Sequence, residues 1–252
     1  MAGWTWAAAS RRGTSHEKTG TKRQDAMRVL LAADNRTLIA VACDGAGSSS
    51  MGGEGAAIAA RTLSNCAKAA LGRKSAHPAD DAIWEWIDLA RDRIATVAER
   101  RDLTPRDFAT TVVMAISNGR STLALHIGDG AVIGRDKKSG EWRALCWPEH
   151  GEYASSTFFL TDDGIPRARI VRHEAPVDRL AIFTDGIERL ALDFTTNLPH
   201  APFFAGVSGP VASSPVKGWD VALSAKLGAY LASDAVNART DDDKTLILAA
   251  RA

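Results

Sequence analysis

The sequence predicts an α+β fold of layered sheets and helices, and three observations predict it. Apolar, β-branched runs fall in hairpin pairs, helical-period stretches stand in pairs before and after them, and no repeat or low-complexity tract divides the chain. A single domain over residues 1–252 follows: 45% hydrophobic against 24% charged residues is ordinary globular composition, and the length supports one large core.

The strands come first. Runs 27–33 and 37–43 flank Asp34-Asn35-Arg36, a cluster of turn formers, and read as a hairpin. Runs 110–117 and 121–127 are separated by Asn118-Gly119, the dipeptide suited to a type I′ turn because both central residues must accept positive φ. Further strands are expected at 131–135, 142–146, 170–173, 180–184 and 245–249, the last two apolar enough for a sheet buried on both faces. Ile83, Ile87, Ala90, Ile94 and Val97 recur at helical spacing after Pro78, so a helix is expected over 81–100 with Asp80 and Asp81 as cap candidates. That spacing explains Trp84 as packing near the core, and Trp84 and Trp86 receive no functional role. A second, Ala-rich helix over 54–71 is terminated by Gly72, and Trp219, Leu223, Leu227 and Leu231 mark a third before Asp234. Residues 195–217, rich in Pro, Gly and Ser around Phe203, Phe204 and Val207, read as an ordered surface loop.

Bulk properties exclude several function classes. Thirty-one basic against 30 acidic residues give a formal charge of +1, so no global field favours nucleic acid or an anionic membrane. Cys43, Cys66 and Cys146 are odd in number and form no C-x-x-C pair, which argues against a disulfide framework or thiolate zinc and fits a reducing cytoplasm. None has arginine six positions on (Ser49, Gly72 and Glu152 stand there), as a cysteine-phosphatase loop would require. The apolar stretch from Trp4 precedes Arg11 and Arg12, the reverse of a signal peptide, and no apolar run approaches the roughly 20 residues of a membrane span. A cytoplasmic monomer is expected.

The chemical signal is an apolar strand that ends in Asp-Gly, met three times: run 38–43 into Asp44-Gly45, run 123–128 into Asp129-Gly130, and run 180–184 into Asp185-Gly186. Asp241, Asp242 and Asp243 lead into the last strand, and Asp25 precedes the first hairpin. Carboxylates crowded at converging strand ends must protonate or bind cations, and an oxygen-only set suits Mg²⁺ or Mn²⁺. A glycine after each aspartate lets the backbone carbonyl approach an ion, and Asp44-Gly45 is the candidate bridge between two. Asp163-Gly164 is read as an ordinary turn. His126, inside an apolar strand, is read as a satisfied core histidine.

These residues, in this order, resemble the protein phosphatase 2C family of metal-dependent phosphatases. The resemblance runs through Gln24-Asp25-Ala26, the 41–47 segment around Asp44-Gly45, Gly53-Glu54, Ala109-Thr110-Thr111, Gly128-Asp129, Phe183 to Ile187 and Asp242-Asp243-Lys244-Thr245. It is nearest to short bacterial members, with which the chain also shares a Gly13-x-x-His16 opening and a 151–161 segment that could form a flap after Glu149 and His150. The resemblance implies a four-layer α-β-β-α sandwich of two mainly antiparallel sheets flanked by helix pairs. It also implies a protein serine/threonine phosphatase holding two Mn²⁺ or Mg²⁺ ions, with a weaker third. Asp44, Asp185 and Asp242 would hold the first ion. Asp44 and the Gly45 carbonyl would bridge to the second, supported by Asp25 directly or through water. Asp129 would serve the third with Asp185. The implied substrates are phosphorylated proteins, including a cognate bacterial Ser/Thr kinase or its targets.

Departures from the family pattern leave other readings open. Gly20 stands where the usual phosphate-binding arginine falls, so Arg12, Lys22, Arg23 or His16 must anchor the phosphate. Gln24 replaces an acid, Gly130-Ala131 replace Ser-Arg, and Ala46 replaces a histidine proposed as general acid. His16 is the replacement candidate for that proton donor, against a plain surface or capping role. A pseudophosphatase that only reads phosphorylated partners is the alternative these departures motivate. A nucleotide-binding protein is a second alternative from Gly45-Ala-Gly47, though Ser50 stands where a third glycine would be needed.

Overall fold

A computed structural model describes residues 3–33, 35–72, 76–149 and 157–251. One sheet has five antiparallel strands in the spatial order β2 (Ala26–Ala32), β3 (Thr37–Cys43), β4 (Val112–Ser117), β5 (Thr122–Ile127) and β8 (Arg169–His173). The other has six: β12 (Gly218–Trp219), β1 (Trp4–Arg11), β13 (Lys244–Arg251), β9 (Val177–Phe183), β6 (Ala131–Asp136) and β7 (Trp142–Cys146). All its pairs are antiparallel except β12 with β1. A short ribbon pairs β10 (Leu192–Asp193) with β11 (Leu198–Pro199).

Side-chain alternation along these strands generates the layers. On β3, Ile39, Val41 and Cys43 point to α2 (Gly52–Leu71) and α3 (Asp80–Glu99), while Leu38, Ala40 and Ala42 point into the space between the sheets. On β13, Leu246, Leu248 and Ala250 face α5 (Ala201–Ala212) and α6 (Val221–Leu231), while Ile247 and Ala249 face the other sheet. Three apolar layers thus separate helix pair, sheet, sheet and helix pair, and each fully buried Leu or Ile contributes roughly 1.5–3 kcal/mol by leaving water. Short helices α1 (Thr14–Thr19), α4 (Glu188–Ala191) and α7 (Asp234–Asn237) occupy the connections.

Three expectations are corrected, and one strand is added. Residues 195–217 are not a loop: they hold β11 and the twelve-residue α5, where Pro202 sits in the first turn, Pro210 lies near the end, and Phe204 and Val211 are buried. The Trp4 stretch, which the hydrophobic pattern does not mark as a strand, is the interior strand β1, paired with β12 and β13, with Ala7 and Ala9 packed on the helix side and Ala8 between the sheets. The β4–β5 turn has four residues, 118–121; Gly119 alone has positive φ, and Asn118 Oδ1 accepts from the Arg120 and Ser121 amides, so it is not type I′. On α3, Trp86 is the more deeply buried tryptophan, and the N-cap is Ala79, with Asp80 and Asp81 in the first turn.

Candidate metal centre

Strand register brings the acids together before any side chain is considered. Ala26 pairs with Cys43, so Asp25 and Asp44 extend from adjacent strands at one end of the five-stranded sheet. Phe183 pairs with Leu246 on one side and Ala131 on the other, so Asp185 is flanked by the Asp242–Asp243 approach to β13 and by the Gly128–Gly130 turn before β6. Stacking the two sheets closes the group.

Asp25 is buried and joins the sheets: its Oδ2 accepts from Thr184 Oγ1 (2.9 Å), just past the end of β9, and from Thr245 Oγ1 (2.5 Å) on β13. Ser10 Oγ lies 2.7 Å from Thr245 Oγ1 and extends this hydroxyl row. The Asp44-Gly45 backbone is pinned by the Ala109–Thr111 segment. Asp44 O accepts from Thr110 Oγ1 and the Thr111 amide (both 2.8 Å), Thr111 Oγ1 accepts from the Asp44 amide (3.1 Å), and the Ala46 amide donates to Ala109 O (2.9 Å). A Cβ on Gly45 would lie 2.2 Å from the Gly52 carbonyl carbon, so only glycine fits where α2 begins.

The electrostatics are those of carboxylates out of water and near one another. Burial first raises the Asp25 carboxyl to about 6, against side-chain hydrogen bonding with Thr245, Asp44 and Thr184 that lowers it and together with the Asp243 charge that adds to the rise. Asp44 and Asp185 are raised well above the usual carboxylate range, first by burial and then by acidic neighbours: Asp25, Asp185 and Asp242 act on Asp44, and Asp129, Asp242 and Asp25 act on Asp185. Asp242 is raised by burial. Asp25 Oδ1 and Asp185 Oδ1 are buried and accept no hydrogen bond from the described residues. Among those residues no three acidic, imidazole or thiol groups are drawn in to ligand spacing, so the acids share a neighbourhood without closing a shell. Their fit to divalent cations rests on orphaned oxygens and mutual repulsion, both of which a cation removes.

The flanking candidates separate. His16 Nδ1 lies 3.0 Å from Asp243 Oδ1, at ion-pair distance though not aligned as a hydrogen bond. Arg12 Nη2 donates to His16 O (2.6 Å), and its Nε is buried without a partner among the described residues. Arg23 is occupied by the carbonyls of Asp25 and Ser10, whereas Lys22 is exposed. Gln24 Nε2 donates to Ser49 O (3.3 Å), and its amide donates to Asp243 Oδ2 (2.5 Å). Asp243, which sequence reasoning did not single out, also accepts from the Gly13 amide (2.6 Å) and ties three chain segments together beneath the site. Thr184, Thr245 and Ser10 were likewise missed; two of them stand within the quoted motifs, adjacent to Asp185 and two residues from Asp243.

Asp163 lies outside the cluster, in a turn where Gly164 has positive φ. His126 Nε2 meets Gly130 O at 2.8 Å and is satisfied within the core. His150 and most of the 151–161 segment lie outside the described residues.

Comparisons with known proteins bear on the family and the fold. The family model for Protein phosphatase 2C matches residues 12–232. Serine/threonine-protein phosphatase 3 of Escherichia coli (strain K12) is 39% identical over 254 residues, 98% of each chain. Among solved structures, PppA, a key regulatory component of T6SS in Pseudomonas aeruginosa, is similar over 100% of both chains, with TM-score 0.69 and 15% identity. The catalytic domain of the serine threonine protein phosphatase PstP, in complex with 2 manganese ions, is similar over 100% of this chain and 99% of its own, with TM-score 0.63 and 16% identity. At such identities the structural likeness carries the arrangement of sheets and helices.

Proposed function

The chain belongs to the protein phosphatase 2C family, and we propose that its strand-end aspartates are the cation site of a metal-dependent protein serine/threonine phosphatase, in one catalytic domain over residues 1–252. The observation that carries this reading is the set of buried acids that raise one another's proton affinity while Asp25 Oδ1 and Asp185 Oδ1 accept no hydrogen bond from the described residues. Asp44, Asp185 and Asp242 would hold one ion, Asp44, the Gly45 carbonyl and Asp25 a second, and Asp129 with Asp185 a weaker third. Mn²⁺ or Mg²⁺ bound there supplies Lewis acidity, activating water and offsetting phosphoryl charge.

The chain's own residues supply the rest. Thr184 and Thr245 orient Asp25 by donating to one oxygen, leaving the other for a ligand. Thr110 and Thr111 hold the Asp44-Gly45 backbone in register. Arg12, whose buried Nε has no partner among the described residues, stands beside His16 and is the phosphate anchor best supported by its surroundings, ahead of Lys22 and Arg23. His16, whose Nδ1 is turned to Asp243, would protonate the departing serine or threonine alkoxide from its other nitrogen. A polar cleft of about 750 Å³, lined by Ser48, Ser49, Arg106 and Ala109, opens beside the Asp44 loop and has room for a stretch of polypeptide. The substrates are phosphoproteins; a Ser/Thr kinase or its targets in the cytoplasm, met by a monomeric enzyme, is the finer proposal.

The test is hydrolysis of p-nitrophenyl phosphate and of a phosphothreonine peptide, with and without Mn²⁺. Turnover of both, dependent on metal and lost in Asp44→Asn, is expected; folded protein inert at every metal concentration would sink the enzyme reading in favour of a phosphoprotein reader. Arg12→Met should raise KM for phosphopeptide about tenfold or more, as loss of a charge-assisted contact implies, while Lys22→Met should not; the reverse pattern would move the anchor to Lys22.

A further inference from the structure

Asp129 stands between two glycines, and both carbonyls beside it are held from below. Gly128 O accepts from the Glu149 amide at 3.0 Å, and Gly130 O meets His126 Nε2 at 2.8 Å. The two holders are joined by one side chain. Arg169 Nη2 lies 2.9 Å from His126 Nδ1 and donates to Trp147 O at 2.5 Å, while Arg169 Nε lies 3.2 Å from Glu149 Oε2.

Donor and acceptor chemistry leaves one arrangement of the histidine. A guanidinium only donates and a carbonyl only accepts, so Nδ1 must be the acceptor and Nε2 must carry the proton. The ring is completely buried in β5, between β4 and β8, and its neutral form satisfies both partners. A leucine there would leave Gly130 O without its donor and remove one of the three groups that hold Arg169. The turn itself tolerates little adjustment: Gly128 has φ +97°, and a Cβ on Gly130 would lie 2.8 Å from Phe183 O. Glu149 is fixed in turn by Arg167, which pairs with its other oxygen and lies over the Phe158 ring at 4.5 Å.

We propose that Arg169 is a positioning residue that, through His126 and Glu149, clamps the Gly128–Gly130 turn and thereby sets the Asp129 carboxylate toward Asp185. The inference rests on the assignment of Asp129 to the cation site. It goes beyond that assignment by giving a role to three residues that touch neither cation nor substrate. Such supporting residues characteristically change metal affinity or turnover by about 10- to 100-fold.

The experiment compares Arg169→Met, His126→Leu, His126→Gln and Asp129→Asn with the parent protein. It measures Mn²⁺ binding by the electron paramagnetic resonance signal of free Mn²⁺, kcat and KM for p-nitrophenyl phosphate, and metal-free Tm. Arg169→Met and His126→Leu are expected to weaken the loosest Mn²⁺ and lower kcat, each by about tenfold or more, with KM little changed; metal-free Tm should fall in His126→Leu, which strands a buried carbonyl, so the Mn²⁺ binding of the folded variants is the deciding readout. His126→Gln, whose amide can still donate to Gly130 O, should recover most of the loss. Should Arg169→Met not fold, Glu149→Gln keeps the backbone amide on Gly128 while removing the charge facing Arg169, and carries the same expectation. Parent-like Mn²⁺ binding and kcat in Arg169→Met or its substitute, with both impaired in Asp129→Asn, would overturn the clamp alone. Parent-like behaviour in Asp129→Asn would overturn the clamp and the Asp129 assignment together.

Discussion

At the scale of single residues the site is a conflict held in place by folding. Asp44 and Asp185 each face several acidic neighbours out of water, so neutralising either relieves repulsion while removing a proposed metal ligand. Asp44→Asn and Asp185→Asn should therefore abolish Mn²⁺-dependent turnover yet raise the metal-free unfolding free energy by on the order of 1 kcal/mol or more; a lowered urea midpoint in both would contradict the repulsion argument. The aspartates themselves were legible because each follows an apolar run and precedes a glycine. The hydroxyls that orient Asp25 were not, since Thr184 and Thr245 lie 159 and 220 positions away from it. Asp243 was passed over for the same reason: its partners, the Gly13 and Gln24 amides, come from the other end of the chain.

At the scale of elements, the critical junctions are strand ends against backbone. The 3₁₀ turn Asp185–Ile187 crosses the start of β13 so closely that a Cβ on Gly186 would lie 1.8 Å from Asp243 O. Gly186→Ala should cost about 1–3 kcal/mol or more of stability, read from the urea midpoint, because backbone on both sides must move. It should also lower Mn²⁺ affinity, and unaltered binding would show that the crossing does not position Asp185. Hairpins were the most legible elements: β2–β3 and β4–β5 have short turns between apolar runs. Helix α5 was hidden by its composition, since glycine and proline mark loops locally; it persists because Phe204 and Val211 pack on the six-stranded sheet. Strand β1, with three consecutive alanines, carries little intrinsic strand preference and is made by its long antiparallel pairing with β13.

For the whole molecule, the acids link stability to pH and to metal. The folded Asp25 carboxyl binds its proton more tightly, at about 6, than the ordinary 3.8 of an unfolded chain, and Asp44 and Asp185 shift the same way. A raised carboxyl pKa means the folded state holds more protons, so metal-free stability falls as pH rises through the interval from 3.8 to 6 and beyond. Metal-free protein should melt higher near pH 5.5 than near pH 8, with a shallower slope in Asp44→Asn, by differential scanning calorimetry. Saturating Mn²⁺ should raise Tm most at the alkaline end, where protons no longer compete, by roughly RT ln([Mn²⁺]/Kd) in free energy. An Mn²⁺ effect equal at both pH values would place the bound ion away from these carboxylates.

The sequence by itself determined the α+β class, the hairpins, the α2 and α3 helices and the aspartates, because hydrophobic period and Asp-Gly punctuation are local signals. Tertiary structure alone decided which of those acids meet, which hydroxyls and glycines hold them, how Arg12 and His16 stand beside Asp243, and that 201–212 is helical. Those outcomes depend on strand register across two stacked sheets, and register joins residues that no local pattern connects.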